Sequence, residues 1–309
     1  MSRASPLPLI VAILTLLTSQ AFAAEPLRLC LDENAPPFSF NRGGTVGGFD
    51  LELAQTIADG LGLSLKIQWF NTEDQPEAGK DTKTSIAALL ADDRCDISGS
   101  YPLFADDING SLTDQGHLPR IKGGTKEDQR RLIALSPLIA TVPFVYTAPV
   151  IVLGPDVSVS SIRALADLDG LRIGVEQSTW ADIILTAYQQ GRFLPQLHHI
   201  PPGGGLLERL EAAQYDATLV DLHRFDGYRL THPTTPLKLT SFLHPLGFNL
   251  GFVGLARKAE LIGAVDAVVN RELQDGTIER VAIRAGLTYL PPRDPAVRLL
   301  PSPPDLLKE

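Results

Sequence analysis

The chain has 309 residues, a net charge of −9 and two cysteines, Cys30 and Cys95. No basic cluster stands out, which argues against a nucleic-acid partner, because phosphate binding needs a concentrated positive footprint. Two cysteines without a companion histidine pattern make a poor zinc site, and neither a metal nor a cofactor is expected.

Residues 1–23 set Arg3 before an apolar run from Leu7 to Leu17 and end on Ala21-Phe22-Ala23. That order predicts a secretory signal peptide cut after Ala23, with an apolar core too short to span a bilayer comfortably. The alternative is an uncleaved anchor. Cys30 follows Pro26-Leu27-Arg28-Leu29, a poor context for acylation. A periplasmic, soluble monomer is expected, in a compartment where a disulfide can persist.

Strands and helices then alternate. Leu27–Leu31 reads as a short buried strand. Apolar residues at helical spacing predict a helix over Phe49–Asp59, capped by Asp50 and ended by Gly60 and Gly62. Leu63–Phe70 alternates apolar and polar residues as a half-buried strand does. Thr84–Ala91 is a second helix and Cys95–Ser98 a third strand. This βαβαβ order predicts a parallel sheet with helical crossovers. From Tyr101 to Arg131 periodicity is lost, and a long functional or mobile loop is expected. Val142–Leu153 is β-prone, biased by Pro143 and Pro149 toward an extended crossover. A second set follows, with strand Leu171–Val175, helices Thr179–Gln189 and Leu206–Ala213, and strand Ala217–Val220. His198-His199 falls in a predicted loop. Phe248–Ala256 is extended, and helices Ala259–Gln274 and Thr277–Ala285 close the fold. The tail from Pro291 holds six prolines and is expected to lie extended over the surface or be disordered.

Several segments carry a resemblance in order and spacing: LRLCLDENAPPFSF, GGFDLELAQTIADGLGL, DRCDISGS, DLDGLRIGVEQSTW, YDATLVD and ELQDGTIERV. Together they resemble the type II periplasmic solute-binding proteins, specifically the family 3 group serving amino-acid ABC importers. The resemblance implies two α/β lobes with a cleft between them and two crossovers, near 141–150 and 247–254. It assigns 24–145 and 253–290 to the first lobe, 146–252 to the second and 291–309 to a Pro-rich tail.

Ligands of open α/β sheets bind at the carboxyl ends of strands. Asp32 ends the first strand and is either a cleft residue or a turn former. Ser100 and Tyr101 end the third, where family members offer groups to a ligand carboxylate, or else they simply begin a polar loop. Ser178-Thr179-Trp180 opens a helix directly after a strand, where exposed N–H groups favour an anion and the hydroxyls reinforce it, or where the same residues simply cap the helix. Asp221 matches the family position that holds an α-ammonium group, or else it caps a helix. Family members place an aromatic ring at the position of Ala35, so Phe38, Phe40, Tyr101 or Trp180 would supply the apolar wall. The carboxylate-gripping arginine would be Arg131 or Arg130, with Arg120 a remote third choice.

The first and third strands should be neighbours, and aligning Asp32 with Ser100 puts Cys30 and Cys95 about three residues, or roughly 10 Å, out of register. A disulfide needs Cα atoms within about 7 Å, so either a bend before Asp96 closes the gap or two buried thiols remain. The resemblance implies a non-enzymatic subunit that delivers a small polar solute to the membrane subunits of an ABC importer. One alternative is an accessory protein of a periplasmic quinoprotein dehydrogenase, for which the 101–130 insertion would suit protein binding. Another is a cyclohexadienyl dehydratase-like enzyme, with Glu176 and Asp221 as candidate acids.

Overall fold

The computed structural model describes residues 25–71, 82–108, 115–158, 162–302 and 304–305. The expected signal peptide lies outside the described residues. Two sheets organise the chain into two α/β lobes. The first sheet has seven strands, in the order Leu138–Ala140, Phe248–Leu255, Ile97–Pro102, Leu27–Asp32, Leu65–Asn71 and Arg120–Ile121, with Val145–Thr147 also paired to Phe248–Leu255. Leu27–Asp32 runs parallel to both Leu65–Asn71 and Ile97–Pro102, as the intervening helices Phe49–Leu61 and Thr82–Ala91 require. The second sheet has five strands, in the order Leu197–Ile200, Ile173–Glu176, Ala217–Asp221, Pro149–Leu153 and Lys238–Leu243.

The chain changes sheets twice. Thr147 and Pro149 flank the first crossing, and Leu243 and Phe248 the second. Tyr146–Thr147 and Phe248–Phe252 therefore belong to the first sheet, not to the second lobe to which the resemblance assigned them. An extended apolar run does not declare its partner, and Phe248–Leu255 finds three antiparallel partners in the first sheet.

Helix Phe49–Leu61 buries Phe49, Leu53 and Ile57 at i, i+4 spacing against Val265 and Ile278 of the C-terminal helices Ala259–Gln274 and Thr277–Arg284. Gly62, at φ 68°, supplies the left-handed residue that ends it. Asp50 is not its cap: Gly48 is, without a side-chain bond, and Asp50 is buried in the first turn. The segment after Tyr101 is not structureless. It holds short helices Ala105–Ile108 and Lys126–Arg130 and strands Gln115–His117 and Arg120–Ile121, with Thr125 and Asp128 forming a capping box. His198-His199 lies in strand Leu197–Ile200, not in a loop.

The two lobes share a module. Arg28, near the start of Leu27–Asp32, donates from its backbone N–H and its guanidinium to Asp96, and again to the Asp93 carbonyl. Arg172 does the same to Asp216 and to the Ala213 carbonyl. Asp93 and Ala213 occupy matching left-handed turns, at φ 57° and 56°. Each module fixes the approach of one strand to its parallel neighbour. Two residues beyond these arginines stand Cys30 and Gly174. Cys30 is bonded to Cys95, with Cα atoms 5.6 Å apart. A Cβ on Gly174 would come within 2.7 Å of the Tyr215 ring, at the position corresponding to Cys95. The register pairs Cys30 with Ser98, three residues past Cys95, and a bend at Asp96, whose N–H donates to the Arg28 carbonyl at 2.8 Å, brings Cys95 within reach before the strand begins at Ile97.

Candidate functional site

A cavity of ≈380 Å³ lies between the lobes at the carboxyl ends of the parallel strands. Pro102 comes from the first sheet, and Glu176, Val220 and Asp221 come from strand ends of the second. Thr179 and Trp180 enter from the start of helix Trp180–Ala187. Phe104 and Phe248 face Trp180 across the cleft, with ring centres 5.1–5.7 Å apart in a mutually tilted trio. Such edge-to-face packing is favourable beyond the area it buries.

Charge is confined to four groups. Asp221 caps helix Leu222–Thr231: one carboxylate oxygen accepts the His223 N–H at 2.9 Å, and the other accepts the Thr147 hydroxyl at 2.9 Å. A carboxylate has about four lone-pair sites, so two such bonds leave room for a cation. The buried Glu176 is paired with Arg224. Lys83 donates to Asp107 at 2.6 Å and sits 5.0 Å from the Phe104 ring centre. Thr179 accepts the Asp182 N–H at 3.1 Å and donates to the Glu176 carbonyl at 2.8 Å, so it fixes the helix start against the strand end.

Of the ligand-binding residues named from the sequence, Thr179, Trp180 and Asp221 line this cavity, as does Glu176, named there as a candidate acid; the others do not. Asp32 accepts the Asn34 N–H at 2.9 Å, forming a turn. Ser100 turns its hydroxyl to Asp50, 2.7 Å away. Tyr101 is 2 % exposed and packed in the first lobe's core, so it cannot serve as a wall. Phe38 lies between the lobes but packs edge-on to His223, 5.0 Å away, and against Phe49. Arg131 is half-exposed and paired with Asp92, and Arg130 lines the same surface depression around Thr125. Arg120 sits on the edge strand paired with Leu65–Asn71.

The cavity residues missed from sequence are Lys83, Phe104, Arg224, Phe248 and Leu300. Glu176 was legible as a strand end, just as Asp221 was. Lys83, Arg224 and Leu300 carry no local signal, because only the approach of two distant segments brings them to the cavity. Among the described residues, no cluster of His, Cys, Asp and Glu could hold a metal ion, and no helix is long and apolar enough to cross a membrane.

No protein-family model and no curated protein matches the chain. Solved structures do match over most of its length. One is the L-cystine solute receptor of Neisseria gonorrhoeae in its unliganded open conformation, at 18 % identity and TM-score 0.55, covering 85 % of this chain and 92 % of that one. A second is an ancestral cationic amino acid solute-binding protein, at 18 % identity and TM-score 0.58, covering 84 % and 95 %. A third is the second substrate-binding domain of a putative amino acid ABC transporter from Streptococcus pneumoniae, at 16 % identity and TM-score 0.58, covering 85 % and 100 %. With its two sheets, two crossings and inter-lobe cavity, the chain has the two-lobed fold of the periplasmic solute-binding proteins.

Proposed function

We propose that this chain is a periplasmic solute-binding protein that captures a small amine-bearing solute, an amino acid or a related amine, between its lobes for an ABC importer. The observation that carries this reading is Asp221. Its carboxylate stands at a strand end on a ring-lined cavity, oriented by Thr147 from the crossing strand and by the His223 N–H, while Glu176 in the same cavity is already paired with Arg224. Covering this half-buried carboxylate with a ligand is costly unless a cation meets it, and an ammonium group answers that need. Arg224 and Lys83 in the cavity lining, paired with Glu176 and Asp107, together with the start of helix Trp180–Ala187, favour an anionic group at the ligand's other end. The cavity volume suits a molecule of amino-acid size. The fold supports the reading through the solute-binding proteins that share it.

The test is thermal unfolding of residues 24–309 against a panel of amino acids, small amines and organic acids. A ligand at 100 times its Kd should stabilise the protein by about 2.7 kcal/mol and raise the melting temperature in proportion. A panel that leaves the curve unmoved at millimolar concentration argues against the reading.

A further inference from the structure

The C-terminal segment does not lie passively on the surface. After helix Thr277–Arg284 it crosses to the second lobe, where Thr288 donates from its N–H and its hydroxyl to Asp226, at 2.7 and 2.8 Å. Asp226 is fully buried on helix Leu222–Thr231 and is also paired with Arg229. The chain then returns over the crossing strands. The Tyr146 N–H donates to the Leu290 carbonyl at 2.9 Å, and the Arg293 guanidinium lies 4.5 Å from the Tyr146 ring centre. Asn249, 1 % exposed on the second crossing strand, spends its whole carboxamide on this segment. It donates to the carbonyls of Arg293, Pro295 and Ala296 and accepts the Arg293 N–H at 3.0 Å. Further on, Arg298 exchanges backbone bonds with Leu103 and Ala105, at 3.1 and 2.7 Å. Leu300 then reaches the inter-lobe cavity, beside Phe104 and Trp180.

We propose that residues 286–302 form a clasp that ties the two lobes together and closes one mouth of the cavity, with Leu300 as a size-setting wall of the site. The ties run in sequence from the second lobe, across the crossings, to the first lobe beside the cavity. Leu300 supplies apolar wall to the cavity beside Phe104 and Trp180. Solute exchange then requires residues 297–301 to lift away, whereas the Thr288–Asp226 tie can stay in place. A long bulky solute is excluded by Leu300, so shortening this side chain enlarges the range of solutes accepted. The solute-selecting role rests on the function proposed above; the clasp itself does not.

Trp180 reports on the clasp without any ligand. In a Trp69→Phe background it is the sole tryptophan. Acrylamide quenching should rise at least twofold when the chain is cut after Pro291, and by a smaller factor in Leu300→Ala or Asn249→Ala. Fluorescence of added 8-anilinonaphthalene-1-sulfonate should rise severalfold in the same variants. Unchanged quenching and dye fluorescence in variants that keep the parent's circular dichroism would overturn the clasp. If the shortened chain does not fold, Leu300→Ala decides alone, because it removes only a partly exposed side chain. The solute panel is scored separately. Solutes that stabilise the parent, together with a Leu300→Ala variant that accepts no larger homologue, would overturn the size-setting role. A panel silent in both proteins sinks the solute reading and leaves the quenching result to judge the clasp.

Discussion

The Ser100 hydroxyl donates to the Asp50 carboxylate at 2.7 Å, which ties the turn after the third parallel strand to the first turn of helix Phe49–Leu61. Ser100 holds a left-handed φ of 43° to do so, and a Cβ on the preceding Gly99 would come within 2.6 Å of the Asp50 carboxyl carbon. Burial pushes the Asp50 carboxyl up to about 7, against the pull of the Ser100 bond.

That shift gives a pH dependence. The folded state binds a proton on Asp50 that the unfolded state has released, between the ordinary carboxylate value near 4 and about 7. This contribution to stability is therefore fully present at low pH and is lost as pH rises through that window. Asp50→Asn cannot titrate. Its stability relative to the parent should rise by about 2 kcal/mol from pH 5 to pH 8, read by urea unfolding at the two values. A difference that stays flat across the window would refute the assignment.

The Cys30–Cys95 bond spans 65 residues, and both cysteines are buried. Closing a loop of that length in the unfolded chain is worth about 4 kcal/mol in the chain-entropy account. Replacing both cysteines by alanine should cost about 2–5 kcal/mol in urea unfolding, and dithiothreitol should then have no further effect on the variant. A loss below about 1 kcal/mol would mean that the Arg28–Asp96 module alone holds the strands.

Asp221→Asn keeps an oxygen for the His223 N–H and so keeps most of the helix cap, but it removes the charge offered to an ammonium group. For any amine that stabilises the parent, its Kd by calorimetry should rise at least tenfold, about 1.4 kcal/mol. The melting temperature without ligand should move little. Unchanged affinity would displace Asp221 from the site.

Arg131→Ala is the complementary control. Its exposed pair with Asp92 is remote from the cavity, so about 0–1 kcal/mol of stability is at stake and solute-induced stabilisation should be unaltered. A collapse of solute binding in this variant would return the arginine to the site and contradict the cavity as drawn.

Legibility followed the range of the interactions. The helices Ala259–Gln274 and Thr277–Arg284 could be read closely because their apolar period and the Asp275-Gly276 break are local. Strand Lys238–Leu243 and helix Leu222–Thr231 escaped, since neither shows a period strong enough to mark it. In the site, Thr179, Trp180 and Asp221 follow strands directly, and strand ends face the cleft by topology. Ser100, Tyr101 and Asp32 also stand at strand ends, yet each was claimed by something nearer: Asp50, the core, and the Asn34 turn.

The resemblance that begins at Leu27–Phe40 was written in local motifs, and so was the parallel βαβαβ order. Those depend on residues a few positions apart, where periodicity, capping and turn chemistry act. Tertiary structure alone decided that a bend at Asp96 would close the three-residue offset between Cys30 and Cys95. It also decided that Arg131 would serve Asp92 and that a proline-rich tail would be pinned by one buried asparagine. A side chain's partner far along the chain depends on which surfaces pack, and the sequence near that side chain holds no record of it.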